Sequence, residues 1–190
     1  MSDRVFIGYS QDSIEHMERV RSLADRLRSD GVDCDIDQYE DSPPEGWIRW
    51  MEKKDREAKF VLVVSTEKNK RRSEGTEESG VGLGAKWEGG IMLSNLYHSE
   101  KGNTKYIPVI FGFADRANIP RPLQDATYYN IGKEIGYEDL CRRLTGQPRR
   151  KKPSLGPIRN FDMEAPKSLP IREVRTTPSM LFASPIDEAL

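Results

Sequence analysis

The chain has 190 residues, 36% of them hydrophobic and 32% charged, with a mean hydropathy of -0.72; this is one domain with a short appendage, and it excludes a large multidomain enzyme. Thirty basic residues oppose 31 acidic ones for a net charge of -1, so no global field exists to hold a polyanion, and direct nucleic-acid binding is not expected. Cys34 and Cys141 form no CxxC pair, there are two histidines, and no apolar run approaches about 18 residues, which excludes a disulfide scaffold, a cysteine zinc site and a transmembrane helix and fits a cytoplasmic protein.

Met1-Ser2-Asp3-Arg4 leads straight into an apolar run, Val5-Phe6-Ile7, with no signal peptide. That run ends at Gly8-Tyr9-Ser10 and reads as a buried strand. Asp12 and Glu15 have capping-box spacing, so a helix is expected to start there. Met17, Val20, Leu23, Ala24 and Leu27 fall on one face of it, and Gly31 closes it. Val32 to Ile36 predicts a second strand. Pro43-Pro44 breaks the chain, and Trp47 to Ala58 predicts a second helix. Phe60-Val61-Leu62-Val63-Val64 is apolar on both faces, as a central parallel strand must be. Thr66 to Gly84 reads as a polar loop and Ala85 to Tyr97 as a helix. Tyr106 to Phe111 is a strand whose Pro108 calls for an edge or strand-end position. Tyr128 to Ile131 is a fifth strand, and Tyr137 to Leu144 a last helix. Five strands alternating with helices predict an α/β fold, a doubly wound parallel sheet with right-handed crossovers.

Seven of the twelve prolines lie at or beyond Pro148. Such a stretch holds neither a long helix nor a central strand. Residues 1–147 are therefore expected to be the folded domain and 148–190 an extended Pro-rich tail or linker. The tail starts with Arg149-Arg150-Lys151-Lys152 and ends with an apolar patch, Met180-Leu181-Phe182. It is either a disordered linker or a segment that docks through that patch.

Ligands in such sheets bind beyond the carboxyl ends of the strands, near a switch in strand order. Three loops qualify. Gly8 to Ser13 opens onto a helix N-terminus, which suits a phosphate or is an ordinary capped turn. Asp37 to Gly46 is acidic and stiffened by proline, and Trp47 and Trp50 follow it, for ring stacking or for core packing. Gly80-Val81-Gly82-Leu83-Gly84 lacks GxGxxG spacing and does not follow a strand, so no dinucleotide cofactor site is expected. Trp87-Glu88 follows those glycines in the first turn of a helix, where a carboxylate favours the dipole or projects into the cleft. His16 is expected to be solvated, and Asp33, Asp35 and Asp37 to be loop and edge carboxylates with no metal.

Several segments together resemble the SEFIR domain, a relative of the TIR domain. Arg4 to Ser10 is similar to the family's first box, with Gly8 in place of the usual first serine. Gly31 to Tyr39 followed by Pro43-Pro44-Glu45-Gly46-Trp47, Phe60 to Thr66, Gly80 to Tyr97, Lys105 to Phe111 and Tyr137 to Pro148 are similar to later family segments, in order. The resemblance covers residues 4–148 and implies a flavodoxin-like five-stranded parallel sheet. It further implies a homo-oligomer through SEFIR–SEFIR contacts, with a sensor protein or fused sensor region as a further partner, and no membrane. Bacterial members resemble anti-phage effectors, and many TIR relatives cleave the nicotinamide–ribose bond of NAD with one glutamate of the third helix. Glu88 matches that position because it follows the aromatic Trp87.

NAD is then substrate, and no cofactor is implied. Cleavage develops oxocarbenium character on the ribose, which a carboxylate stabilises. The leaving nicotinamide is already cationic, so no general acid is required. Tyr9, Ser10, Gln11 and Asp12 are expected to face phosphate and ribose, and Tyr39, Trp47 or Trp87 to cover a ring. The TIR likeness makes Tyr39, Pro43, Pro44 and Glu45 interface residues. Two alternatives stay open: an interaction module with no activity, and a producer of a cyclic ADP-ribose signal.

Overall fold

The computed structural model describes residues 4–74 and 103–163. The expected helix 85–97, with Trp87 and Glu88, lies outside the described residues, as do the 80–84 glycines and Met180-Leu181-Phe182. The chain divides into two compact units, Met1–Lys151 and Lys152–Leu190. In the second, residues 152–163 are exposed and carry no helix or strand.

In the first unit, β1 (Arg4–Gly8), β2 (Asp33–Asp35), β3 (Phe60–Val64), β4 (Tyr106–Ile110) and β5 (Tyr129–Asn130) form one sheet. Its order is β2-β1-β3-β4-β5 and every pairing is parallel. Around it lie α1 (Ile14–Ser29), α2 (Trp47–Glu57), α3 (Glu67–Ser73) and α4 (Glu134–Leu144). The expected doubly wound architecture is therefore present. Because β1 pairs with β2 on one side and β3 on the other, the switch in strand order falls between β1 and β3.

Parallel strands covered on both faces must be apolar throughout. Val61, Leu62, Val63 and Val64 of β3 are all buried, and so is every residue of β4. Alternate side chains feed two cores. Ile7, Leu62, Val64, Ile107 and Val109 pack with the buried faces of α1 and α4. Phe6, Val61, Val63 and Ile110 pack with Trp50 of α2. Asp55 of α2 is buried, but it accepts hydrogen bonds from the Tyr106 hydroxyl at 3.0 and 3.2 Å and from Lys105 Nζ at 3.2 Å. A buried carboxylate is tolerable only with such partners, and this one ties α2 to β4. Gly136 lets α4 close on β5, since a Cβ there would stand 2.0 Å from the Asn130 carbonyl oxygen. Among the described residues no helix is long and apolar enough to cross a membrane.

Four expectations change. Pro108 is in the middle of β4, a strand with neighbours on both sides. The Val61 and Ser65 N–H groups donate to the Lys105 and Val109 carbonyls, so Pro108 faces β5 instead of β3. Pairing with β5 starts only at Val109, so no ladder donor is lost at Pro108. The expected loop after β3 begins as α3, with Thr66 accepting from the Asn69 N–H. The cap of α1 is Ser13, not Asp12: its hydroxyl accepts from the His16 N–H at 3.1 Å. Ser13→Ala is expected to cost about 0.5–2 kcal/mol, read as a lowered urea midpoint; an unchanged midpoint would remove the cap from the account. Finally, His16 is buried, because it lies one turn before Val20 on the face α1 turns to the core.

Candidate functional site

The loops beyond the strand ends meet around the β1–β3 switch. Ser10 follows β1 and is 1% exposed. Its hydroxyl donates to Asp12 Oδ1 at 2.5 Å and stands 2.9 Å from the Thr66 hydroxyl, which follows β3. The Asp12 N–H turns back to the Ser10 carbonyl at 2.9 Å. Tyr9 is buried, and its hydroxyl accepts from Gln38 Nε2 at 2.9 Å; the same nitrogen donates to the Met17 carbonyl. Gln11 is exposed. Its amide donates to Asp37 Oδ2 at 3.3 Å, and its carbonyl accepts from Lys68 Nζ at 3.0 Å. The structure thus brings Tyr9, Ser10, Gln11 and Asp12 together at the switch, but only Gln11 and Asp12 are open to solvent.

Beneath this loop the His16 ring lies 6.1 Å from that of Tyr9 and 6.0 Å from that of Phe111. Its Nε2 is buried and has no hydrogen-bond partner among the described residues. Burial lowers its pKa from 6.5, with Arg19 adding to the effect and Asp12 and Asp115 opposing it. The folded state therefore keeps His16 neutral where the unfolded chain takes up a proton. Stability from this group is complete above pH 6.5 and falls as the pH drops below it. His16→Gln is expected to flatten the loss of urea stability between pH 7.5 and pH 5.5; an equal loss in wild type and variant would contradict the burial effect. The i to i+4 spacing from His16 to Val20 is the sequence signal that points to this position.

Burial pushes the Cys34 thiol up to about 12 and raises that of Cys141. Among the described residues no three His, Cys, Asp or Glu side chains group to hold a metal. Asp35 instead pairs with Lys54 at 2.5 Å, and Asp33 lies 3.5 Å from Arg28.

The second candidate region runs from Asp37 through the start of α2, at the β2 edge of the sheet. Asp37–Tyr39 is a 3-10 turn. The Tyr39 hydroxyl donates to Asp25 Oδ1 at 2.6 Å, and burial together with that carboxylate raises its pKa. The Glu40 N–H donates to the Asp37 carbonyl and the Gly46 N–H to the Pro43 carbonyl, each at 3.0 Å. Gly46 takes φ 81°, which suits glycine. Pro43 is buried, Pro44 exposed, and Glu45 lies 3.6 Å from Lys53. The sequence placed Trp47 and Trp50 on one helix face; the structure separates their roles. Trp50 is 4% exposed, whereas Trp47 is 44% exposed and stands edge-on to it at 5.8 Å. Ile48 is exposed beside it. The result is a fixed acidic loop flanked by open aromatic and aliphatic surface.

A family model described as "SEFIR domain" matches residues 3–144. A solved prokaryotic SEFIR domain superposes with a TM-score of 0.59 at 25% identity, over 75% of this chain and 99% of that one. A metazoan TIR-STING receptor from C. gigas superposes with a TM-score of 0.50 at 20% identity, over 74% of this chain and 40% of that one, a likeness of fold.

Proposed function

The chain belongs to the SEFIR domain family, and we propose that it is an interaction module that assembles with copies of itself through the Asp37–Ile48 surface. The observation that carries this reading is Trp47. A tryptophan 44% exposed, seated on buried Trp50 at the end of a hydrogen-bonded loop, is an interface anchor in waiting. Two prolines and the Glu40 and Gly46 turn hydrogen bonds hold the loop before any partner arrives, which lowers the ordering cost of association. Glu40 and Asp41 form a polar rim. In a purified mixture, a tagged copy is expected to retain an untagged one, and Trp47→Ser to release it. Retention unchanged by that substitution would remove the surface from the proposal.

A second reading adds chemistry: assembly switches on cleavage of NAD at the nicotinamide–ribose bond, as part of an anti-phage response that depletes NAD. The β1–β3 switch supports it, because doubly wound sheets of this strand order bind ligands there. Gln11 and Asp12 border that point. Glu88 would stabilise the oxocarbenium ion, and Trp87 would cover a ring. Nicotinamide leaves whether the ADP-ribose is hydrolysed or cyclised, so its release reports either course.

A further inference from the structure

At the opposite edge of the sheet from the assembly loop, a groove of about 650 Å³ opens between β5 and the C-terminal half of α4. Its lining includes Asn130, Asp139, Arg142, Arg143, Pro148 and Arg149. Three arginines and one carboxylate therefore share the lining, and that carboxylate is taken: Asp139 Oδ1 accepts from Arg149 Nε at 2.5 Å, while Glu138 accepts from the same arginine at 3.4 Å. Among the described residues Arg142 and Arg143 have no ion pair. The Nε of Arg142 is buried and has no hydrogen-bond partner among them.

Basic residues in a last helical turn commonly serve the helix dipole. That role is fulfilled from exposed positions and gives no reason to bury a guanidinium nitrogen without an acceptor, an unfavourable state for a charged group. The fork of an arginine matches two oxygens of one oxyanion, so a phosphate in the groove suits Arg142 and Arg143, neither of which has an ion pair among the described residues. The volume is within the range of small-molecule sites, roughly 300–1,000 Å³. Two arginines without ion pairs call for more than one negative charge.

We propose that the β5–α4 groove is a binding site for a small diphosphate-bearing ligand, held by Arg142 and Arg143. The site is separate from the assembly surface and from the strand-order switch, so it stands whether or not either of those readings holds.

Calorimetric titration of the full chain with pyrophosphate tests it, followed by ADP to ask whether an attached ring adds affinity. Saturable binding at one site is expected. Arg142→Gln and Arg143→Gln should each weaken it at least tenfold. Arg142→Lys, which keeps the charge and loses the fork, should weaken it as well. Arg150→Gln, outside the groove lining, should change it less than twofold. If Arg142→Gln does not fold, Arg143→Gln on the exposed side decides the matter alone. No saturable binding of pyrophosphate would overturn the proposal. So would equal weakening by Arg150→Gln, the mark of diffuse surface charge, or binding of a hexaglutamate peptide in preference to pyrophosphate, the mark of an acidic protein partner.

Discussion

Leu62→Ala is expected to lower unfolding stability by about 2–5 kcal/mol. Leu62 is the central residue of the central strand, 0% exposed, and it is in register with both Ile7 and Ile107. Its neighbours cannot collapse into the vacated space, because strands hydrogen-bonded on both sides hold them. A cavity is therefore added to the lost transfer energy. A domain stable by about 5–15 kcal/mol loses a large fraction of that margin. Chemical denaturation reads the effect, and a loss below about 1 kcal/mol would mean that the site repacks and that the sheet is not the rigid frame described above.

On the NAD-cleaving reading, Glu88→Gln is expected to abolish nicotinamide release from NAD, by about 100-fold or more, and to leave the denaturation midpoint where it is in the wild type. The substitution keeps the size of the side chain and removes the charge that, on that reading, would stabilise an oxocarbenium ion. Turnover persisting in the variant would take Glu88 out of the chemistry. Absence of turnover in the assembled wild type would leave the interaction module as the whole function.

The sheet was legible because burial on both faces leaves a mark that local sequence shows. The run Phe60 to Val64 could be nothing else, and Pro43-Pro44 and Gly31 fixed where elements stop. What escaped was decided by neighbours distant in sequence. Pro108 is interior because β5 is only two residues long and pairs beyond it. His16 shares the core-facing side of α1 with Val20, and its burial is completed by Phe111, which follows β4 and lies far along the chain. The site was legible as a set of loops and not as a set of contacts. Spacing brought Tyr9 to Asp12 to the right end of the sheet, yet Gln38 and Thr66, which fix Tyr9 and Ser10, give no local signal. The two tryptophans looked alike as a pair three residues apart. Only the packing of α2 on one face of the sheet made Trp50 core and left Trp47 outside. The arginine groove was missed because its members come from β5, α4 and the chain beyond α4, each unremarkable where it stands.

Sedimentation velocity across a dilution series tests the assembly most directly. The wild type is expected to shift from monomer to larger species as concentration rises. Trp47→Ser is expected to weaken association at least tenfold, with Tyr39→Ala and Glu45→Lys weakening it less. Leu62→Ala, which alters the core and not the surface, should associate like wild type while it stays folded. A wild type that remains monomeric throughout, or a Trp47→Ser variant that assembles as well as wild type, would contradict the account.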